Sequence, residues 1–530
     1  MNRWSPLPWL DRIAGNARLA MAAVGGTSLV VALLLVWGSS LPVPRIHDEF
    51  SYLLSADTFA HGRATNPPHP MWVHFESFHI IQQPTYSSKY PVGQGLSLAV
   101  GQVLTGHAIV GVWLTIAAAC MAVTWMLGAW VPPRWALAGG VLMAIHPQVL
   151  QWDHTYWGGG VALLGGALVA GAARRLMEAP RAGTAAIMAA GLAVLANSRP
   201  FEGLVLGLVV AGSTLAWLLR RGGPPWRVIG VQVIAPAALV LLSAGALMAY
   251  HNWRVTGSPL RLPYMVHEAA YATIPPFGWQ ARRAPPVYRH DVMRRFWVEG
   301  WGEPPAADAP PRPRMSPAVL WLRRYAVGGK VLVDAFALNG GLLLALAGLP
   351  FCLRRDPWTR WAVAALALGT GGILLGSWMQ VHYAAPLVPL CFLVVVVSLR
   401  ELGRHAAGRV VVAAVAVLSL LALGLEYRGL VRFDDQAATR WFTRRAALAD
   451  SLAASGEPAL VVVRYQPRHP VLEEWVYNDA DIDASPVVWA REMDPAQNQR
   501  LFAYFKDRRI WLLEADVPPW RLVPYEGAGR

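Results

Sequence analysis

The residues of this sequence best placed to move a proton or grip an anion fall at the ends of apolar runs. Asp48 and Glu49 open the stretch HDEFSYLLSADTFAHG, and Lys89 closes the same segment. Asp153 and His154 follow one apolar run, Arg199 and Glu202 separate two others, and His382 lies between a late pair. The first stretch predicts an amphipathic helix with Tyr52 four residues after Asp48 on the same face. Neighbouring acids on a helix point about 100° apart, so Asp48 and Glu49 cannot share one job. One carboxylate can take a proton from an attacking hydroxyl while the other orients a helix or binds substrate. The plainer alternative is a solvated first turn whose acids complement the helix dipole.

The elements that must position these residues follow from composition. Of 530 residues, 55% are hydrophobic and only 15% charged, against about 25% charge in soluble proteins. With a mean hydropathy of +0.36, this excludes a disordered chain, a disulfide scaffold and an ordinary cytosolic enzyme. A polytopic α-helical membrane protein remains. The net charge of +14 comes almost wholly from arginine, since Lys89, Lys330 and Lys506 are the only lysines. Cys120, Cys352 and Cys391 all sit in apolar sequence and form no disulfide or zinc pattern.

Apolar runs long enough for spans of roughly 20 residues begin at Leu19–Leu41, read as a retained first helix rather than a cleaved signal peptide. They continue at His107–Val131, Trp135–Leu150, Tyr156–Ala173, Gly183–Ala196, Gly203–Leu219, Val228–Tyr250, Val331–Leu353, Trp361–Met379, Tyr383–Leu399 and Val410–Leu425, making about eleven. Pro91–Thr105, with Gln94, Ser97 and Gln102, reads as an interfacial segment. Arg134, Arg174–Arg175, Arg220–Arg221, Arg354–Arg355 and Arg400–Arg404 fall at every second junction. The positive-inside rule puts these with a cytoplasmic N-terminus and the polar candidates on the other face.

Residues 1–427 are expected to form the membrane domain, with outer loops 42–106 and 250–330, and residues 428–530 an outer soluble α/β domain. In that tail Ala459–Tyr465 and Arg509–Glu514 read as strands, and Ala437–Ser455 and Pro495–Lys506 as helices. The loop is proline-rich around Pro304–Pro317, as in a lid or linker. Acids and cations gathered at outer helix ends, above a lipid-facing body, point to a substrate with a polar head and a lipid tail. His47, His61, His69, His74 and His79 crowd the first outer loop with Glu76. Imidazole and carboxylate suit several divalent metals, but the spacing matches no usual zinc pattern, and ordinary loop histidines are the preferred reading. Asp479, Asp481 and Asp483 read as a solvated loop, and the tail's expected role is acceptor or partner recognition.

The acid pair just after the first span, with Tyr52, followed by SSKYPVGQGL, resembles the GT-C glycosyltransferases. The likeness is to bacterial relatives of protein O-mannosyltransferases and lipid A aminoarabinose transferases. It covers about the first 220 residues, and KYPVG stands where relatives commonly carry two adjacent prolines. The resemblance implies a polyprenyl-phosphate-linked sugar donor and an acceptor hydroxyl or amine on a glycan, lipid or protein. Transfer would run by direct displacement with inversion, in a bacterial inner membrane with the site periplasmic. It implies Asp48 as general base with Glu49 in support, and Lys89 and Arg199 on the donor phosphate, with His382 and His154 behind them. Tyr52, Tyr90, Tyr156, Glu202 and Tyr383 would line the substrate pocket. Tyr156 belongs to HTYWGG, whose aromatics equally suit an interfacial belt, and Tyr383 to QVHYAAPLVP, which resembles the late outer junction of the same families. No cofactor is implied.

The competing class is a transporter or flippase for a lipid-linked or small polar substrate. That class usually puts its coupling charges near mid-membrane with inverted repeats, and neither is visible here. A membrane scaffold or sensor would explain the tail and leave Asp48, Lys89 and Arg199 without a role.

Overall fold

The computed structural model describes residues 8–37, 40–300, 339–437 and 440–525, with 319, 322, 326–330, 333 and 336. Among the described residues, seven helices are long and apolar enough to cross a membrane: Ala17–Trp37, Ala108–Leu127, Gly159–Glu178, Pro200–Leu218, Trp226–Thr256, Val381–Leu402 and Ala406–Phe433. Four of the expected runs fold differently. Gly183–Ala196 forms the helix Ala182–Ala196, whose 15 residues fall short of a full span, and Trp361–Met379 becomes Pro357–Ile373. Trp135–Leu150 breaks into Pro133–Ala144 and Pro147–Asp153, because Pro147 cannot continue the hydrogen-bond ladder and biases His146 out of the helical region. The run at Val331–Leu353 lies partly outside the described residues, and its described end is helical over Asn339–Gly348 and Leu349–Arg355. The proline-rich Pro304–Pro317 lies outside them entirely.

In lipid, helices associate by close packing rather than by hydrophobic exclusion, so small residues set the approach. A Cβ on Gly111 would stand 1.9 Å from the Ser97 carbonyl oxygen, and one on Gly166 would stand 2.1 Å from that of Pro386. The second contact locks the buried helix Gly159–Glu178 against the segment that carries His382 and Tyr383. Gly166→Val is therefore expected to destabilise the fold by about 1–3 kcal/mol or more. Thermal unfolding of the purified protein checks this, and an unchanged midpoint would show that the segment is not held there.

The arginine clusters gather at one end of the bundle with the N-terminal helix. Arg134 pairs with Asp11, Arg355 and Arg404 both pair with Glu401, and Arg174 lies over Trp358, which also packs on Trp217 beneath Arg220. The opposite end carries a polar cap. The helix His47–Ala60 leads into a short antiparallel hairpin, Ile80–Ile81 with Ser87–Ser88, and then into the helix Val92–Thr105. That helix is polar inward and apolar outward, the reverse of a soluble surface helix. Gln94 donates to the Tyr156 carbonyl at 2.8 Å and Gln102 to Asp57 at 3.1 Å, while Leu96, Val100, Val103 and Leu104 form an exposed stripe.

The tail forms a four-stranded sheet in the order Val487–Arg491, Ala459–Arg464, Arg509–Glu514, Leu522–Pro524. The first three strands are parallel, with Val461 opposite both Trp489 and Trp511, and the last is antiparallel. Helices Trp441–Ala454 and Pro495–Tyr504 complete it. Its core is continuous with the first loop, since Phe50, Leu54, Phe75 and Tyr86 are buried in the same cluster as Trp475 and Trp489. Phe50 and Tyr477 stack with ring centroids 4.2 Å apart.

Candidate active site

The two adjacent acids divide as their angular separation requires. Glu49 turns inward, where its Oε2 accepts the Arg45 amide at 2.6 Å and its Oε1 the Tyr156 amide at 2.9 Å. Burial pushes its carboxyl above the ordinary range. It clamps two chain segments together and does not line the cavity beside it. Asp48 faces that cavity. Its Oδ1 accepts the Tyr90 hydroxyl, and its Oδ2 lies 3.7 Å from His79 Nε2. Burial, then the nearby Asp48 charge, lifts the Tyr90 phenol well above its usual value, so Tyr90 remains a hydrogen-bond donor.

The cavity has a volume of about 450 Å³. Asp48, Lys89, Tyr90, Arg199, Glu202, His382 and Tyr383 all line it, although they come from four separate regions of the chain. Lys89 reaches in from the end of the hairpin. Its ammonium donates to Glu268 Oε1 at 3.2 Å and lies 4.9 Å from the centre of the Tyr264 ring and 5.5 Å from that of Trp297. The Arg199 guanidinium sits over the Tyr383 ring at 4.3 Å, a cation–π contact that holds a planar fork at the rim. The Gly93 amide, which donates to the Asn197 carbonyl at 2.7 Å, ties the Arg199 turn to the start of the helix Val92–Thr105. His382 packs between Trp157 and Tyr383, each with ring centroids 4.8 Å away. Phe201, Phe277, Phe296 and Met248 add apolar wall.

Four expected residues stand behind this wall. Tyr52 stacks on Tyr90 at 4.5 Å, the Tyr156 hydroxyl donates to the Pro42 carbonyl at 2.7 Å, Glu49 is the clamp described above, and His154 is buried away from the lining. Three of the crowded histidines of the first loop disperse, whereas His47 and His79 both line the cavity with ring centroids 5.8 Å apart. His61 bonds the Asp57 carbonyl, His69 pairs with Asp483, His74 bonds the Arg491 carbonyl, and His47 stacks on Phe78. Among the described residues no group of three or more His, Cys, Asp or Glu could hold a metal ion.

Two residues of the cavity carry a role that the sequence does not announce, and His79, one of the loop histidines, is the first. His79 adopts φ of 62°, a left-handed conformation that costs a non-glycine residue about 1–3 kcal/mol. Its carbonyl accepts from Ser51 Oγ at 2.7 Å and from the Lys89 amide at 3.1 Å, which fixes its ring beside Asp48. Burial, and then the Lys89 charge, depress its pKa far below the ordinary value, so the ring beside Asp48 is neutral at pH 7. Glu268 is the other. Burial alone would raise its carboxyl, but the Lys89 ammonium overrides that and holds it at about 2. Tyr264 and Glu268 stand four apart in PYMVHEAAY, and that spacing on one helical face was the available signal.

No family model and no curated protein sequence matches the chain. Solved structures do. ArnT from Cupriavidus metallidurans in the apo state aligns over 92% of this chain and 92% of its own, at 14% identity and a TM-score of 0.51. The same protein bound to undecaprenyl phosphate aligns over 93% and 92%, at 14% identity and a TM-score of 0.56. Nearly the full length of both chains is involved, cap and tail included. The chain is a multi-pass membrane protein with the GT-C fold that it shares with ArnT.

Proposed function

We propose that the protein is a glycosyltransferase moving a sugar from a polyprenyl-phosphate-linked donor to an acceptor hydroxyl or amine, with inversion at the anomeric carbon. The observation that carries this reading is the convergence of one carboxylate, Asp48, and two cations, Lys89 and Arg199, on a single aromatic-walled cavity at the end of an apolar bundle. The chemistry fits the set. Asp48 accepts the acceptor's proton as its oxygen or nitrogen attacks the anomeric carbon. The bond from that carbon to the phosphate oxygen breaks, and the lipid phosphate leaves with the electron pair. Lys89 and Arg199 neutralise the charge that grows there, Arg199 as a fork and Lys89 as a point charge. Glu202, Tyr383 and His382 border the sugar and phosphate, and apolar walls keep water from competing as acceptor.

Fold likeness to a protein solved with undecaprenyl phosphate supports a lipid phosphate as the leaving group. The arginines collected at the far end of the bundle support a cytoplasmic N-terminus and a periplasmic site in a bacterial inner membrane. The full chain, purified into lipid nanodiscs and offered a panel of polyprenyl-phosphate sugars with glycan, lipid and peptide acceptors, should release free polyprenyl phosphate with at least one pair. Release by none, with donor binding also absent, would overturn the reading.

A further inference from the structure

The end of the bundle that carries the arginine clusters holds an open cavity of about 700 Å³, on the opposite side from the candidate active site. Three elements enclose it: the helix Pro8–Gly15, the start of the helix Pro133–Ala144, and the turn that closes Val388–Leu402. Arg134, Arg400 and Arg404 line it, and Asp11 is the one acid in its wall. Arg134 pairs with Asp11, and Arg404 shares Glu401 with Arg355. Arg400 makes no hydrogen bond or ion pair among the described residues. The two paired guanidiniums stay open to a ligand, at 68% and 52% exposure. Gly403 shapes the floor, because a Cβ there would stand 3.2 Å from the Trp135 ring. Its absence lets the indole lie against the arginine-bearing turn.

Three cations against one acid select an anion, and guanidinium forks suit a phosphate. The surroundings decide which kind of phosphate. Trp9 and Leu10 on the first helix and Val410 just past Arg404 are exposed apolar side chains. Together with Trp135 beside the arginines, they match the headgroup level of a bilayer, where aromatic and basic residues meet. A soluble anion gains nothing from that apolar flank, whereas the acyl chains of a phospholipid cover it. Basic pockets between helix ends hold anionic headgroups on the same terms, and the volume lies within the range of about 300–1,000 Å³ usual for small-molecule sites. We infer that this cavity binds the headgroup of an anionic diacyl phospholipid, with Arg400 as the principal contact and Arg134 and Arg404 beside it. A lipid seated there ties the first helix to the two helix ends. The inference is independent of the glycosyltransferase reading, because no residue of the candidate active site takes part.

The test is titration of the full chain in detergent, with bound molecules counted by native mass spectrometry. Phosphatidylglycerol, phosphatidylcholine, polyprenyl phosphate and inorganic phosphate are the separate probes. Phosphatidylglycerol binds more tightly than phosphatidylcholine, and Arg400→Gln weakens it about fivefold or more. Arg221→Gln removes an exposed charge beside Arg220, outside the cavity, and leaves the affinity unchanged. Arg404→Gln leaves Glu401 paired with Arg355 and repeats the test should Arg400→Gln fold poorly. Equal affinity for the two phospholipids, an equal loss in Arg221→Gln, or no loss in either cavity variant would each overturn the site. An Arg400-dependent affinity that is higher for polyprenyl phosphate, or for inorganic phosphate, than for phosphatidylglycerol would overturn the choice of a diacyl lipid.

Discussion

Asp48→Asn lowers the rate of sugar transfer by about 10²–10⁴-fold, the usual worth of a positioned general base, and leaves donor affinity as it was. The amide has the shape of the carboxylate and can still accept the Tyr90 hydroxyl through its oxygen. It cannot take a proton. The residue faces the cavity with its second oxygen beside His79, a ring that burial and the Lys89 charge make a poor proton acceptor, so no neighbouring group replaces the lost base. Glu49 cannot step in either, because both of its oxygens are committed to backbone amides of Arg45 and Tyr156. Single-turnover kinetics with a bound donor separate the outcomes. A fall in kcat with unchanged donor Kd is expected. A raised KM with kcat preserved would make Asp48 a substrate-binding group and leave the proton without an acceptor.

The acid pair, its 100° split and the polar breaks at Arg199 and His382 were legible because each is a local departure from apolar sequence. What they meet was not. Lys89 and Glu268 are 179 residues apart, and no periodicity links positions so distant. The tail shows the same limit. Its central strands Ala459–Arg464 and Arg509–Glu514 announce themselves by runs of Val, Leu and Ile. Leu522–Pro524 is an edge of three residues, and Val487–Arg491 is a five-residue strand ending in a buried arginine, too short to display a pattern. Burial of Phe50 against Tyr477 could not be read from either segment alone, because each looks like an ordinary half-apolar stretch until the other covers it. Spans were overextended where an apolar run crossed a proline, as at Pro147, since hydropathy does not register a missing amide proton.

Lys89→Ala has a double effect, and the Glu268 pair is what separates its parts. Both side chains are buried, 5% and 7% exposed. Removing one partner strands a charge in the protein interior, at about 3–5 kcal/mol of stability. The single variant is thus expected to fold poorly whatever Lys89 does with a donor. Lys89→Met combined with Glu268→Gln removes both charges together and should regain most of that stability while still failing to bind polyprenyl phosphate tightly. Glu268→Gln alone moves the opposite way on binding. It frees the ammonium from its internal counter-charge, so a donor phosphate should raise the unfolding temperature more than it does in wild type. The pH dependence carries a sign as well. Glu268 is held at about 2, below its unfolded value, so its stabilisation is complete above the unfolded pKa and is lost as pH falls from roughly 4.5 towards 2. Any loss of donor binding between pH 5 and 8 must then come from another group. Wild-type donor affinity in the double variant, measured by titration into nanodiscs, would show that Lys89 serves only the fold and leave Arg199 to carry the phosphate.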